Sequence, residues 1–245
     1  MDMKLRVGLI LAFSGCLVAC GGGSGSSSSS QSTANTNTYN LLTAYKNMVA
    51  AGQSNNFSIA GTCGSVSFNN GTASFGYTPA STSTQTTFED TAALTSTETI
   101  VMNLPSCTPT SITGSSTHYY TLGYLPLGYI VSPAGSGANY YDWVSGPNIP
   151  STPVAIGAIG TIGTENGYTD SSKTILSTTD QISYQVVADG SSTTTALLKI
   201  VDTEYTGGAL SSTEIDTYRI NATSTLLTLI GVDMSLASGN HFILQ

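Results

Sequence analysis

Two close carboxylate pairs, Glu89/Asp90 and Asp202/Glu204, and two histidines, His118 and His241, could do acid–base chemistry in this chain. Residues two apart in a strand share a face. Asp202 and Glu204 could therefore work together as glycosidase carboxylates do. The same spacing also fits a polar strand end running out of the core, which is the plainer expectation. The histidines fall in expected strands far apart, and no serine has a convincing base, so nothing supports a Ser-His-Asp arrangement. GxSxG, Walker A, HExxH and GxGxxG patterns are absent. Gly157, Gly160 and Gly163 recur every third residue, but a phosphate loop needs a following helix and none is signalled. Alternating Asp/Asn/Gly runs with EF-hand spacing are absent too. No catalytic residue, metal site or cofactor is expected.

Aromatic residues make the better candidate. Tyr119, Tyr120, Tyr124, Tyr129, Tyr140, Tyr141 and Trp143 crowd one short stretch. Flat rings with a polar edge suit sugars, lipid tails and interfaces. Tyr140, Tyr141 and Trp143 are the candidate ligand-binding residues, and the competing expectation is that these rings fill an irregular end of the core.

The elements that must hold them are mostly strands. Leu41/Leu42, Tyr45 and Met48/Val49 draw one apolar stripe at helical spacing. Asn37 or Thr38 can cap its start and Gly52 its end. From Phe57 the period becomes two. Asn69-Asn70-Gly71-Thr72 reads as a hairpin turn between Ser65–Phe68 and Ala73–Tyr77. Thr87–Leu104 holds a strand pair. His118–Leu122 and Leu127–Ser132 are short strands. Glu165-Asn166-Gly167 reads as a turn before a strand from Tyr168. Gln181–Ala188, Thr194–Tyr205, Glu214–Asn221, Leu226–Leu236 and His241–Leu244 follow, with turns at Asp189-Gly190, Gly207-Gly208 and Gly239-Asn240. The expected fold is mainly β (α+β): an antiparallel meander curling into a half-barrel or barrel, with one N-terminal amphipathic helix.

Charged residues are only 8% of the chain, with 14 acids against 6 lysines and arginines. Thr, Ser, Gly and Asn carry the polarity, as suits strands and turns. So few scattered cations cannot neutralise a phosphate backbone, which excludes nucleic-acid binding. They also form no basic patch for anionic headgroups.

The first twenty residues bear on location. Lys4 and Arg6 precede an apolar run from Val7 to Val18, too short for a spanning helix. It ends in Leu17-Val18-Ala19-Cys20, followed by glycine and serine. This segment resembles the signal and lipobox of bacterial lipoproteins. The resemblance implies a cleaved signal peptide over residues 1–19. Cys20 would be diacylated on sulfur and usually N-acylated, and would anchor the chain to a membrane. Gly21, where inner-membrane lipoproteins typically carry Asp, points to the outer membrane. Residues 20–37 would be a flexible Gly/Ser leash reaching roughly 20–25 Å, and 38–245 a single β-rich domain. Cys63 and Cys107 are then the two thiols left in an oxidising compartment, where they are expected to pair. A metal or redox pair would want CxxC spacing or a nearby histidine, and has neither.

Further along, Gly160-Thr161-Ile162-Gly163-Thr164, Tyr168-Thr169-Asp170-Ser171-Ser172-Lys173 and Thr217-Tyr218-Arg219-Ile220 resemble, in that order, a group of proteobacterial lipoproteins with no assigned activity. That resemblance implies a fold and a location, without catalytic residues. The expected function is a non-enzymatic, outer-membrane-anchored lipoprotein with a structural or interaction role, its protein partner undefined. A carrier or sensor of an apolar ligand is the alternative, and a carbohydrate-binding domain a weaker one.

Overall fold

The computed structural model describes residues 35–132, 137–225 and 227–245. The leader, Cys20 and nearly all of the expected leash lie outside the described residues. Residues 35–37, expected in that leash, begin the described chain. Asn35 Nδ2 already donates to the Ser192 and Thr195 carbonyls, and Asn37 Nδ2 to that of Thr193. Short amide side chains here satisfy carbonyls at a turn that would otherwise face only water.

Thr38–Tyr39 form a two-residue strand (β1), not a helix cap. The helix α1 (Leu41–Ala51) starts one turn later, capped by Asn40, whose side chain accepts from the Thr43 N–H at 2.9 Å. Gly52 ends it as expected, with φ of 69°. A side chain there would also collide with the Tyr77 carbonyl, 2.5 Å from an ideal Cβ.

The strands that follow are β2 (Gln53–Cys63), β3 (Val66–Tyr77), β4 (Thr86–Phe88), β5 (Thr91–Asn103), β6 (Ser111–Tyr120), β7 (Pro126–Ser132) and β8 (Tyr140–Trp143). Then come β9 (Val154–Ala155), β10 (Ile159–Tyr168), β11 (Leu176–Ala188), β12 (Thr195–Thr206), β13 (Ala209–Asn221), β14 (Leu227–Leu236) and β15 (His241–Leu244). Every pairing is antiparallel. The order β3-β2-β15-β14-β13-β12-β11-β10-β8-β7-β6-β5 closes on itself through a β3–β5 ladder from Thr72↔Asn103 to Tyr77↔Glu98. The meander is a closed barrel of twelve strands, with β4 folded back on β5 and β1 paired to β9.

Two expected turns lie inside strands. β3 runs straight through Asn69-Asn70-Gly71, and the chain reverses instead at Gly64, φ 59°. Gly71 serves close approach: its Cβ would stand 2.8 Å from the Asn103 carbonyl and 3.0 Å from both Ile59 and Phe68. Likewise β10 runs through Glu165-Asn166-Gly167, and the reversal comes at Asp170–Lys173, where Asp170 Oδ1 accepts from the Ser172 N–H. In both places closure of the barrel decided the backbone, and the Asn-Gly pair accommodates a neighbour.

A twelve-stranded barrel is wider than eight strands, whose side chains just fill the lumen. This interior is packed with large groups. Tyr141, Tyr218, Phe242, Ile59 and Leu244 are all fully buried. α1 closes one end, sending Leu41, Ala44, Tyr45 and Val49 inward. Toward the other end Cys63 and Cys107 form a disulfide, with Cα atoms 5.5 Å apart. Outward positions carry Thr95, Thr97 and Thr99 on β5, Ser115 and Thr117 on β6, and Thr179, Gln181 and Ser183 on β11. Lipid-spanning barrels reverse this, with an apolar band outside and a polar lumen. No helix among the described residues is long and apolar enough to cross a membrane.

Candidate functional site

Strand alternation sends two kinds of residue into the lumen. The first is aromatic. His118 on β6 stacks on Tyr129 of β7 at 5.0 Å between centroids, and Tyr129 stacks on Tyr141 of β8 at 4.2 Å and 4°. Tyr120 lies along the same column, 6.4 Å from His118, and Tyr77 meets the imidazole edge-on.

The second is acidic. Glu98, Glu165, Asp180, Asp202, Glu214 and Asp216 are buried on inward positions, with Glu204 half-buried beside them. Registers set them side by side: Glu165 faces Asp180, Asp180 faces Glu204, and Asp202 faces Glu214. Three of them hold their protons more tightly than usual. Asp202 is raised well above the usual carboxylate range by burial, then by Asp180 and Glu214. Glu214 is raised by burial, then by Asp216 and Glu98. Burial lifts Asp216 to about 8, although a hydrogen bond from the Tyr218 hydroxyl (3.3 Å) opposes the rise. Charged carboxylates cannot crowd a low-dielectric interior, so some stay protonated and share hydrogen bonds.

Between α1 and these walls lies a cavity of about 70 Å³. One water needs roughly 10–15 Å³ of such space, so several waters or a small organic group would fit. Leu41, Tyr45 and Met48 roof it. Tyr77, Tyr120, Tyr129, Trp143 and Tyr218 contribute rings, Leu198, Ile200 and Leu227 aliphatic surface, and His118 and Glu165 the polar edge. The Trp143 indole Nε1 is buried without a hydrogen-bond partner.

Tyr140, Tyr141 and Trp143 do not form the coplanar exposed surface that a sugar would stack on. Adjacent strand residues face opposite ways. Trp143 lines the cavity, Tyr141 stands behind Tyr129, and Tyr140 lies on the outer face against Phe88 at 5.3 Å. Asp202 and Glu204 share a face as expected, but they do not run out of the core: β12 stays in the barrel wall and both turn inward. Glu89 and Asp90 sit outside, in the β4–β5 turn, both at positive φ. His241 pairs with Asp233 at 2.7 Å and is remote from His118.

The structure does bring a serine, a histidine and a carboxylate together. Ser116 Oγ donates to Glu98 Oε2 at 2.8 Å, and His118 Nε2 is 2.8 Å from the serine and 2.9 Å from the same oxygen. This triangle is not a relay. A triad places the serine and the carboxylate on opposite ring nitrogens. Here both meet Nε2, and the serine proton is spent on the carboxylate. The arrangement holds His118 and Glu98 in place and activates no nucleophile.

Sequence reasoning passed over Glu98, Glu165, Asp180, Glu214 and Asp216. The usable signal was phase: Glu98 is in step with Ile100 and Met102, Asp180 with Ile182 and Tyr184, Asp216 with Tyr218 and Ile220. An acid on the apolar phase of a strand faces the core.

No family model, curated protein or solved structure matches this chain. Function rests on the geometry of the lumen.

Proposed function

We propose that this protein is a non-enzymatic carrier or sensor that holds a small, mainly apolar ligand inside the barrel beneath α1, tethered to the outer membrane through lipidated Cys20. The cavity carries this reading. It is contiguous, largely ring-lined and roofed by one helix, the arrangement expected of a binding pocket with a few convergent polar groups. The buried, unpaired Trp143 N–H adds a donor for a polar atom of the guest. The polar outer face supports a water-surrounded barrel held to the membrane by its anchor alone. The Ser116–His118–Glu98 triangle favours binding over hydrolysis.

A thermal-shift series with small aromatic compounds tests it. Indole or a relative should raise the unfolding midpoint of the native chain. Leu198→Trp, which fills the cavity, should unfold at a similar temperature and lose that response. Equal responses from both proteins would overturn the assignment.

A further inference from the structure

We propose that the lumen selects a guest bearing a basic nitrogen, an arylalkyl or alkyl ammonium ion, over neutral or anionic molecules of the same shape; this rests on the cavity being the ligand site and names the ligand class. Two observations converge. First, the cavity wall pairs ring faces with a carboxyl group. Glu165 lines it at 4% exposure, among Tyr45, Tyr77, Tyr129, Trp143 and Tyr218. Ring faces attract organic cations, and more strongly once desolvated.

Second, the charge is one-sided. None of Lys46, Lys173, Lys199 or Arg219 lines the cavity. Lys173 is spent outside on Glu89 and Asp142, and Arg219 on Asp189. Among the described residues that line it, His118 is the one basic group, and its Nε2 already faces Glu98. Behind Glu165, Asp180 and Glu204 continue the acidic row from strand to strand.

An ammonium group brings up to three donors and no acceptor, which complements the Glu165 carboxyl and the ring faces of the wall. A guest carboxylate finds no lysine or arginine there.

Calorimetric titration of the full chain in a non-ionic detergent, at pH 7, tests this with three near-isosteres: 2-phenylethylamine, 2-phenylethanol and phenylacetate. The amine should bind at least ten-fold tighter than the alcohol, and phenylacetate should give no heat. Glu165→Gln should bring amine and alcohol within about three-fold of each other; if that variant unfolds, the comparison on the unaltered chain decides. Equal binding of amine and alcohol, or preference for phenylacetate, overturns the charge selection and leaves the cavity assignment standing. No binding of any of the three, together with no response to indole, overturns both.

Discussion

Tyr140 and Tyr141 are neighbours in the chain and belong to opposite faces of the wall. Outside, Tyr140 stacks on Phe88, which also stacks on Tyr119 at 4.6 Å. Its hydroxyl donates to Glu89, and Lys173 bridges Glu89 and Asp142. Inside, Tyr141 continues the Tyr129–His118 column beside Glu98 and the acidic rows. Both regions combine rings with carboxylates. The outer one carries its own lysine and is complete, a strap that fastens the β4–β5 hairpin to the barrel. The inner one has acids with no lysine or arginine among the described residues that line the cavity beside them. The inner set is the one we propose to receive a guest.

The largest separation should come from the two tyrosines themselves. Tyr141→Ala removes a fully buried ring and should cost about 3–5 kcal/mol, as large-to-small core changes do. Tyr140→Ala, on the satellite cluster, should cost about 1–3 kcal/mol. Urea unfolding of both variants measures the difference, and equal losses would erase the distinction between faces.

Next is pH. Asp202, Glu214 and Asp216 titrate near 4 in an unfolded chain and higher when folded, so the folded chain keeps protons that the unfolded chain releases. Their contribution is full below about pH 4 and is lost as pH rises toward 8 and beyond. Stability should fall steadily between pH 5 and 9. The outer partners behave oppositely. Arg219 holds Asp189 below its ordinary range, with help from Thr195; that stability is present above about pH 4 and fades as pH falls below it. Thermal unfolding across pH 3–9 should therefore peak on the acid side of neutral. A peak above pH 8 would mean the inner acids are charged and paired.

The smallest effect should be Lys173→Met. Its pairs are about one-third exposed, where ion pairs contribute about 0–1 kcal/mol. Proteolysis of the β4–β5 hairpin should rise while ligand response stays unchanged.

β12, β14 and β15 were legible almost to the residue, because period-two alternation and Gly-containing turns agreed there, whereas β11 and β13 each begin five residues before the expected start. Barrel closure was legible only as a tendency, since the β3–β5 ladder joins segments whose pairing no local pattern encodes. Asn69-Asn70-Gly71 and Glu165-Asn166-Gly167 misled for one reason. Glycine marks either a positive φ or a close neighbour, and sequence does not say which. Gly167→Ala separates the two: its Cβ would lie 2.4–2.8 Å from Thr178 Oγ1, Tyr141 and Ala138, so overpacking should cost about 1–3 kcal/mol. The site was half-legible. The aromatic stretch was visible, but its division between two faces depended on β8 register, and the acids lie on separate strands that only the closed barrel assembles.

The most direct test of the binding account is native mass spectrometry of the full chain, purified in a non-ionic detergent from the cells that express it. A discrete small-molecule adduct, displaced by 2-phenylethylamine and absent from Leu198→Trp, is the predicted result. A bare chain mass that no amine or aromatic compound alters would contradict it.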